Sequence, residues 1–160
     1  MTVRVLARGL SLGAVGLCLA VALTACGDAL EDGQRAGSDA LRDSPVITET
    51  EHANAYPTAE VSGLLTLQGG CLFLDNKPVF WPYGTNWDEE AQAVVFSDAA
   101  PFDNAPPASV NATFDGGGAY YPSDTDFESW RGKVFATAIE RCLAQAHADV
   151  VLYAYPSTRT

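Results

Sequence analysis

The chain is short of positive charge, with 9 Lys and Arg against 20 Asp and Glu and a formal net charge of −11. A surface of that sign repels phosphate backbones, so a nucleic-acid partner is not expected. Histidine is nearly missing: His52 and His147 are the whole supply, and His147 has no Ser or Cys nucleophile beside it. No two cysteines are spaced Cys-x-x-Cys, and no loop carries the regular oxygen spacing of a calcium hand. Gly116, Gly117 and Gly118 are not followed by the Lys-Ser/Thr of a phosphate loop, which leaves a hairpin turn as their expected role. The one sustained apolar run, residues 9–23, is shorter than the roughly 20 residues a membrane span needs. No motif therefore assembles an active site, and nothing in the chain calls for a cofactor or a metal.

What is present begins at the N-terminus. Arg4 and Arg8 lead into the apolar run, which closes on Leu23, Thr24, Ala25, Cys26 and Gly27. A cationic start, a short apolar middle and a small-residue site make an export signal. The segment ending in Cys26 resembles the lipobox of bacterial lipoproteins. The resemblance implies cleavage before Cys26, acyl chains on its thiol and new amino group, and an address on the extracytoplasmic face of the cell membrane. An uncleaved signal anchor is the reading set against it. Two or more acyl chains hold a protein stably, at about 0.8 kcal/mol per buried methylene. All 20 acidic residues but only seven basic ones follow the signal, so the mature chain carries about −13 (7 − 20). The membrane partner would thus be gained through the anchor on Cys26 and not through charge.

Cys18 lies within the signal, and Cys26 is committed to lipid, which leaves Cys71 and Cys142. In an oxidising compartment an even pair reads as a disulfide. Closing a loop of about 70 residues contributes roughly 4 kcal/mol on a chain-entropy view. A buried thiol pair or two metal ligands are the alternatives.

The chain divides into a signal peptide (1–25), a lipidated start and disordered tether (26–60), one β-rich domain (61–155) and a tail (156–160). The tether is polar, poor in aromatics and without sustained periodicity, apart from a transient helix over residues 36–42. Its root-mean-square span is on the order of 30 Å. His52 falls within it and is expected to have no role.

Short apolar runs predict strands around residues 61–67, 71–74, 79–81, 93–96 and 109–114, with a last one at 150–153. The run from Cys71 to Leu74 is apolar on both faces and so should be buried on both. Asp75, Asn76, Lys77 and Pro78 form a turn cluster. Thr125 and Glu128 have the spacing of a capping box, and the residues from Phe127 through Trp130, Val134, Phe135, Ile139 and Cys142 follow one helical stripe. Gly132 falls off that stripe. The stripe turns Cys142 toward the core, where it can meet Cys71. The expected fold is mainly β (α+β): a small OB-like antiparallel barrel or strongly bent sheet, with one packed C-terminal amphipathic helix and a terminal strand. An open α+β sheet with the helix across one face is the alternative.

The series Gly69, Gly70, Cys71, Leu72, then Trp81, Pro82, Tyr83, Gly84, Thr85, Asn86, Trp87, then Gly116, Gly117, Gly118, Ala119, Tyr120 is similar to a group of uncharacterised actinobacterial secreted proteins and lipoproteins. The resemblance covers residues 61–121 and implies a small β-rich extracytoplasmic domain, with no activity or ligand to carry over.

Trp81, Tyr83 and Trp87 cluster around a Pro-Gly turn followed by Asp88, Glu89 and Glu90. With Tyr120 and Tyr121 they are the candidate ligand-binding residues, an aromatic platform with acidic rims suited to a sugar, a cationic group or a peptide. The plainer reading makes Trp81 a plug of the barrel and Trp87 a support for the next loop. Asp88 to Glu90 would serve glycoside hydrolysis only across a cleft from a second carboxylate. Asp98 with Asp103, or Asp124 with Asp126, would offer hard oxygens to Ca²⁺, without the spacing of a known loop. The expectation is a non-enzymatic binding or structural module of the cell envelope, its partner an envelope protein or a small ligand. A small cell-wall hydrolase or accessory domain and a docking subunit for a membrane transporter are the rivals.

Overall fold

A computed structural model describes residues 44–157. The export signal, Cys26, the tether up to residue 43 and the tail from residue 158 lie outside them. In chain order the strands are β1 (Ile47–Thr48), β2 (Ala59–Gln68), β3 (Cys71–Leu74), β4 (Lys77–Trp81), β5 (Asn86–Asp88), β6 (Ala93–Val95), β7 (Ala108–Ser109), β8 (Thr113–Pro122) and β9 (Val150–Pro156). Helices α1 (Phe127–Arg131) and α2 (Lys133–Ala146) fall between the last two strands.

Two tight turns start the barrel. Gly69 and Gly70 join β2 to β3, and Asp75 with Asn76 joins β3 to β4, all four at positive φ. Two successive positive-φ residues give the hairpin turn whose twist matches its flanking strands. β2 is long because it serves two neighbours, pairing with β8 through its first half and β3 through its second. At the changeover the Leu64 N–H donates to the Asp75 carboxylate at 2.9 Å.

β4 then runs parallel to β9, Val79 opposite Leu152 and Phe80 opposite Tyr153. That seam closes five strands in the cyclic order β2-β3-β4-β9-β8. Counted along the barrel this is first, second, third, fifth, fourth and back to first, an OB-like Greek-key closure. The expected barrel is present, but its closing seam is parallel, so it is not wholly antiparallel.

Strand alternation builds two cores. Leu72, Leu74, Val79 and Trp81 point inward with Val61, Leu65, Phe114 and Leu152. Cys71, Phe73, Phe80 and Tyr153 point outward and are covered by Phe135, Ile139 and Cys142 of α2. β3 is buried at all four positions, as its two-faced apolar run requires. The Cys71–Cys142 disulfide (S–S 2.05 Å) crosses this second core.

Several sequence expectations change, among them the strand expected over residues 109–114, which is split: one strand ends at Ser109, a turn takes residues 110–112 and β8 starts at Thr113. The strand near residue 93 forms, but in a separate three-stranded sheet of β5, β6 and β7. Val94 of that sheet, with Phe96, Ala99 and Phe102 from the segment after β6, packs into the same core as the inward-facing barrel residues. Gly116, Gly117 and Gly118 are not a turn; they lie mid-strand in β8. A Cβ on Gly117 would come within 2.4 Å of the Tyr155 ring, and one on Gly118 within 1.9 Å of the Tyr153 carbonyl oxygen. Close approach, and not turning, is why glycine stands there.

The helix is also interrupted. Gly132, at φ 87°, ends α1 and starts α2, so one stripe does not run through both. Trp130 and Val134, expected on the buried stripe, are 40% and 42% exposed. The N-cap is Asp126, whose carboxylate accepts the Ser129 N–H at 3.0 Å, while the Thr125 hydroxyl donates to the Pro122 carbonyl. Finally, the ordered domain starts well before residue 61. Val46 and Ile47 are buried, and β1 pairs in parallel with Phe80 and Trp81.

Candidate functional site

The structure divides the six nominated aromatic and acidic residues among different environments. Trp81 is fully buried inside the barrel, against Phe96 and Phe114, so it is no part of a binding platform. Its indole N–H has no hydrogen-bond partner among the described residues. Trp87 leans on the same core and donates its indole N–H to the Glu89 carboxylate. Tyr83 is exposed, with the His52 ring centroid 4.5 Å from its own, so His52 is a packing partner and not a bystander. Tyr121 belongs to the second core, whereas its neighbour Tyr120 is exposed and donates its hydroxyl to the Glu60 carbonyl.

The acidic loop is occupied with its own backbone. Asp88 Oδ1 accepts the N–H groups of Glu90 and Ala91 at 3.0 and 2.9 Å, and Glu89 receives the Gln92 amide at 3.2 Å. Asp98 takes the Asn86 side-chain amide at 3.2 Å. These bonds tie Asp88 and Glu89 into their own turn and Asp98 to Asn86. Among the described residues no three His, Cys, Asp or Glu side chains gather as a metal site.

The strongest concentration of buried polar groups lies elsewhere, where the N-terminal arm crosses α1. Glu49 is 4% exposed, and its Oε1 accepts a 2.7 Å bond from Arg131 Nη2. Glu51 stands 3.7 Å from the other guanidinium nitrogen, Nη1. The guanidinium also lies 4.2 Å from the Trp130 ring centroid, a cation–π contact. The Trp130 ring is in turn in contact with those of Phe80, Tyr121 and Phe127.

Burial pushes the Glu49 carboxyl above its ordinary range, and the Arg131 charge and hydrogen bond offset only part of that rise. Tyr153 is driven far upward, by burial first and then by the Glu49 charge. Tyr121 and Tyr56 are raised by the same two causes in the same order. The Glu49 Oε2, Arg131 Nε and Tyr153 hydroxyl are buried without hydrogen-bond partners among the described residues. The sequence reading missed this cluster. Its only local signal was Glu49 standing two positions after the apolar pair Val46 and Ile47 in an otherwise polar stretch.

Hollows open on the surface of the described residues. One of about 380 Å³ runs along Pro106, Pro107, Thr113 and Pro156, and shares Asp115 and Ser157 with another of about 240 Å³. A third, about 170 Å³, lies beside α1 and α2 with Asp126, Glu128 and Glu140 on its walls. The outer face of the second and third barrel strands, where OB folds bind oligonucleotides and oligosaccharides, is here packed beneath α2. No protein-family model, curated protein or solved structure matches the chain.

Proposed function

We propose that this chain is a lipid-anchored, extracytoplasmic bacterial lipoprotein whose barrel is a non-enzymatic binding or structural module of the cell envelope. The observation that carries the reading is the Cys71–Cys142 disulfide joining β3 to α2. Disulfides persist where the surroundings oxidise, and the export signal ending at Cys26 would deliver the domain to such a place. Trp81 buried in the barrel and Asp88 held in its own turn support a packing role for residues that a catalytic reading would need free. The acidic charge and the covered outer face of β3 and β4 weigh against nucleic acid as a ligand.

Intact-mass analysis of protein purified from the membrane fraction tests the proposal. A mass matching a chain that begins at an acylated Cys26 is expected, with release of a Cys26→Ser variant from the membrane. A free Cys26 thiol with the leader still attached would overturn it.

A further inference from the structure

We infer that the start of β8 is a strand-addition edge, where residues 113–115 take up an extended peptide segment that sets a Lys or Arg side chain against Asp115. This rests on the binding-module reading and names the partner of that module. It does not depend on the acyl anchor.

β8 outruns its neighbour on one side. Its ladder with β9 ends where Gly116 faces Pro156, and Ser157 is no longer in a strand. Thr113, Phe114 and Asp115 lie beyond that point, and among the described residues only β2 pairs with them. Neighbouring bonds fix the direction of their backbone groups. The Leu65 N–H donates to the Ala112 carbonyl at 3.0 Å, so that carbonyl faces β2. Successive residues of a strand turn their N–H and C=O groups to alternate sides. Phe114 therefore addresses β2, while Thr113 and Asp115 address the side from which β9 has departed. A row of backbone groups at such an edge is a template for another strand.

Space for that strand is already formed. The hollow of about 380 Å³ runs along residues 113–115, with Pro106, Pro107 and Ser109 also on its walls. Its volume falls within the roughly 300–1,000 Å³ of ligand clefts. Three added residues cover about 10 Å of edge, the length of the overhang. The two prolines bring apolar rings to the wall and no N–H donors.

Charge selects the occupant. Asp115 is exposed and joins this hollow to its neighbour of about 240 Å³. Among the described residues, neither hollow has a Lys, Arg or His on its walls. Opposite charges across a strand pair are favourable, and like charges are not. A second copy adding through the same edge would crowd two Asp115 carboxylates into one short ladder between two acidic chains. The edge is thus guarded against itself and open to a basic segment.

Amide exchange in the full chain, held in neutral detergent, is followed by NMR with a capped heptapeptide of alternating lysine and valine as the probe. The peptide is expected to slow exchange at Thr113 and Asp115 several-fold and to leave Gly117, already paired with β9, unchanged. Asp115→Asn should weaken peptide binding several-fold at low salt, with the protection of Gly117 showing that the barrel stays folded. Exchange that the peptide does not alter overturns the proposal, as does Asp115→Asn binding as tightly as wild type. Equal protection by a peptide with glutamate in place of lysine does the same. Protection present before any peptide is added also overturns it. Loss of that protection on deleting residues 158–160 would make the tail the occupant, and its growth with protein concentration would make it a second copy. None of these results touches the anchor, which stands or falls with the mass found at Cys26.

Discussion

Glu49 accepts the Arg131 guanidinium on one carboxylate oxygen at 2.7 Å and buries the other with no hydrogen-bond partner among the described residues. The pair fastens the arm to α1, yet half of the desolvation of the carboxylate goes uncompensated. Removing one partner strands the other: Arg131→Met should cost about 3 kcal/mol in urea denaturation at neutral pH. Adding Glu49→Gln to that variant should recover most of the loss, because no buried charge then remains. A double variant no more stable than Arg131→Met would show that the carboxylate was never the burden.

The same carboxylate predicts a pH dependence. Its folded-state pKa is raised, so the folded protein holds this proton more tightly than the unfolded chain does. Its contribution to stability is therefore full below the ordinary glutamate range and is lost as pH rises through the elevated value. Denaturation midpoints of wild type measured against Glu49→Gln should fall across that window and level off above it. Parallel curves would sink the assignment.

Asp126 carries the opposite sign. The Ser129 N–H holds its carboxyl below the ordinary range at the start of α1. Its contribution is present above the unfolded value and disappears as pH falls through the lowered one. Asp126→Ala should destabilise α1 at neutral pH and do nothing in strong acid. Thr125→Ala should have the smaller effect, because its hydroxyl bonds to Pro122 and caps nothing.

What could be read in the chain was local. The turn beginning at Asp75, the doubly buried β3 and the amphipathic face of α2 are written within a few residues and are present, although Lys77 and Pro78 of the expected turn cluster belong to β4. Relationships across distance were not legible. β1 is two residues long, too short to leave a pattern, and it pairs with Phe80 and Trp81 more than thirty positions away. The parallel β4–β9 seam depends on where the whole barrel closes. The aromatic run after Trp81 reads as one cluster in sequence, yet strand alternation sends Trp81 inward and leaves Tyr83 outside. Glu49 and Arg131 meet across 82 positions, and no spacing rule reaches that far.

The disulfide is the one distant contact that sequence arithmetic foresaw, and its energetic weight can be measured. Cys71 and Cys142 are separated by 71 positions. Replacing both with alanine should reduce stability by about 4 kcal/mol on the chain-entropy view, with the barrel strands still paired. Both sulfurs sit in the second core, so the loss of packing adds to that figure. Under reducing conditions wild type should approach the double variant. A midpoint indifferent to reductant, in protein whose cysteines have been shown to be reduced, would deny the bridge its role.

Gly118 in β8 and Gly70 in the turn between β2 and β3 provide the sharpest contrast between two residues of one type. Any Cβ on Gly118 would lie 1.9 Å from the Tyr153 carbonyl oxygen, a backbone atom that moves only if the β8–β9 pairing moves. Gly118→Ala should therefore cost about 2 kcal/mol or more through overpacking, seen as a lower denaturation midpoint. Gly70 has nothing within 4 Å of its would-be Cβ and sits at φ 74°, where asparagine is the best-tolerated side chain. Gly70→Asn should stay within about 0.5 kcal/mol of wild type, as surface substitutions usually do. Equal losses at the two positions would mean that conformational freedom, and not the nearness of Tyr153, is what β8 requires of its glycine.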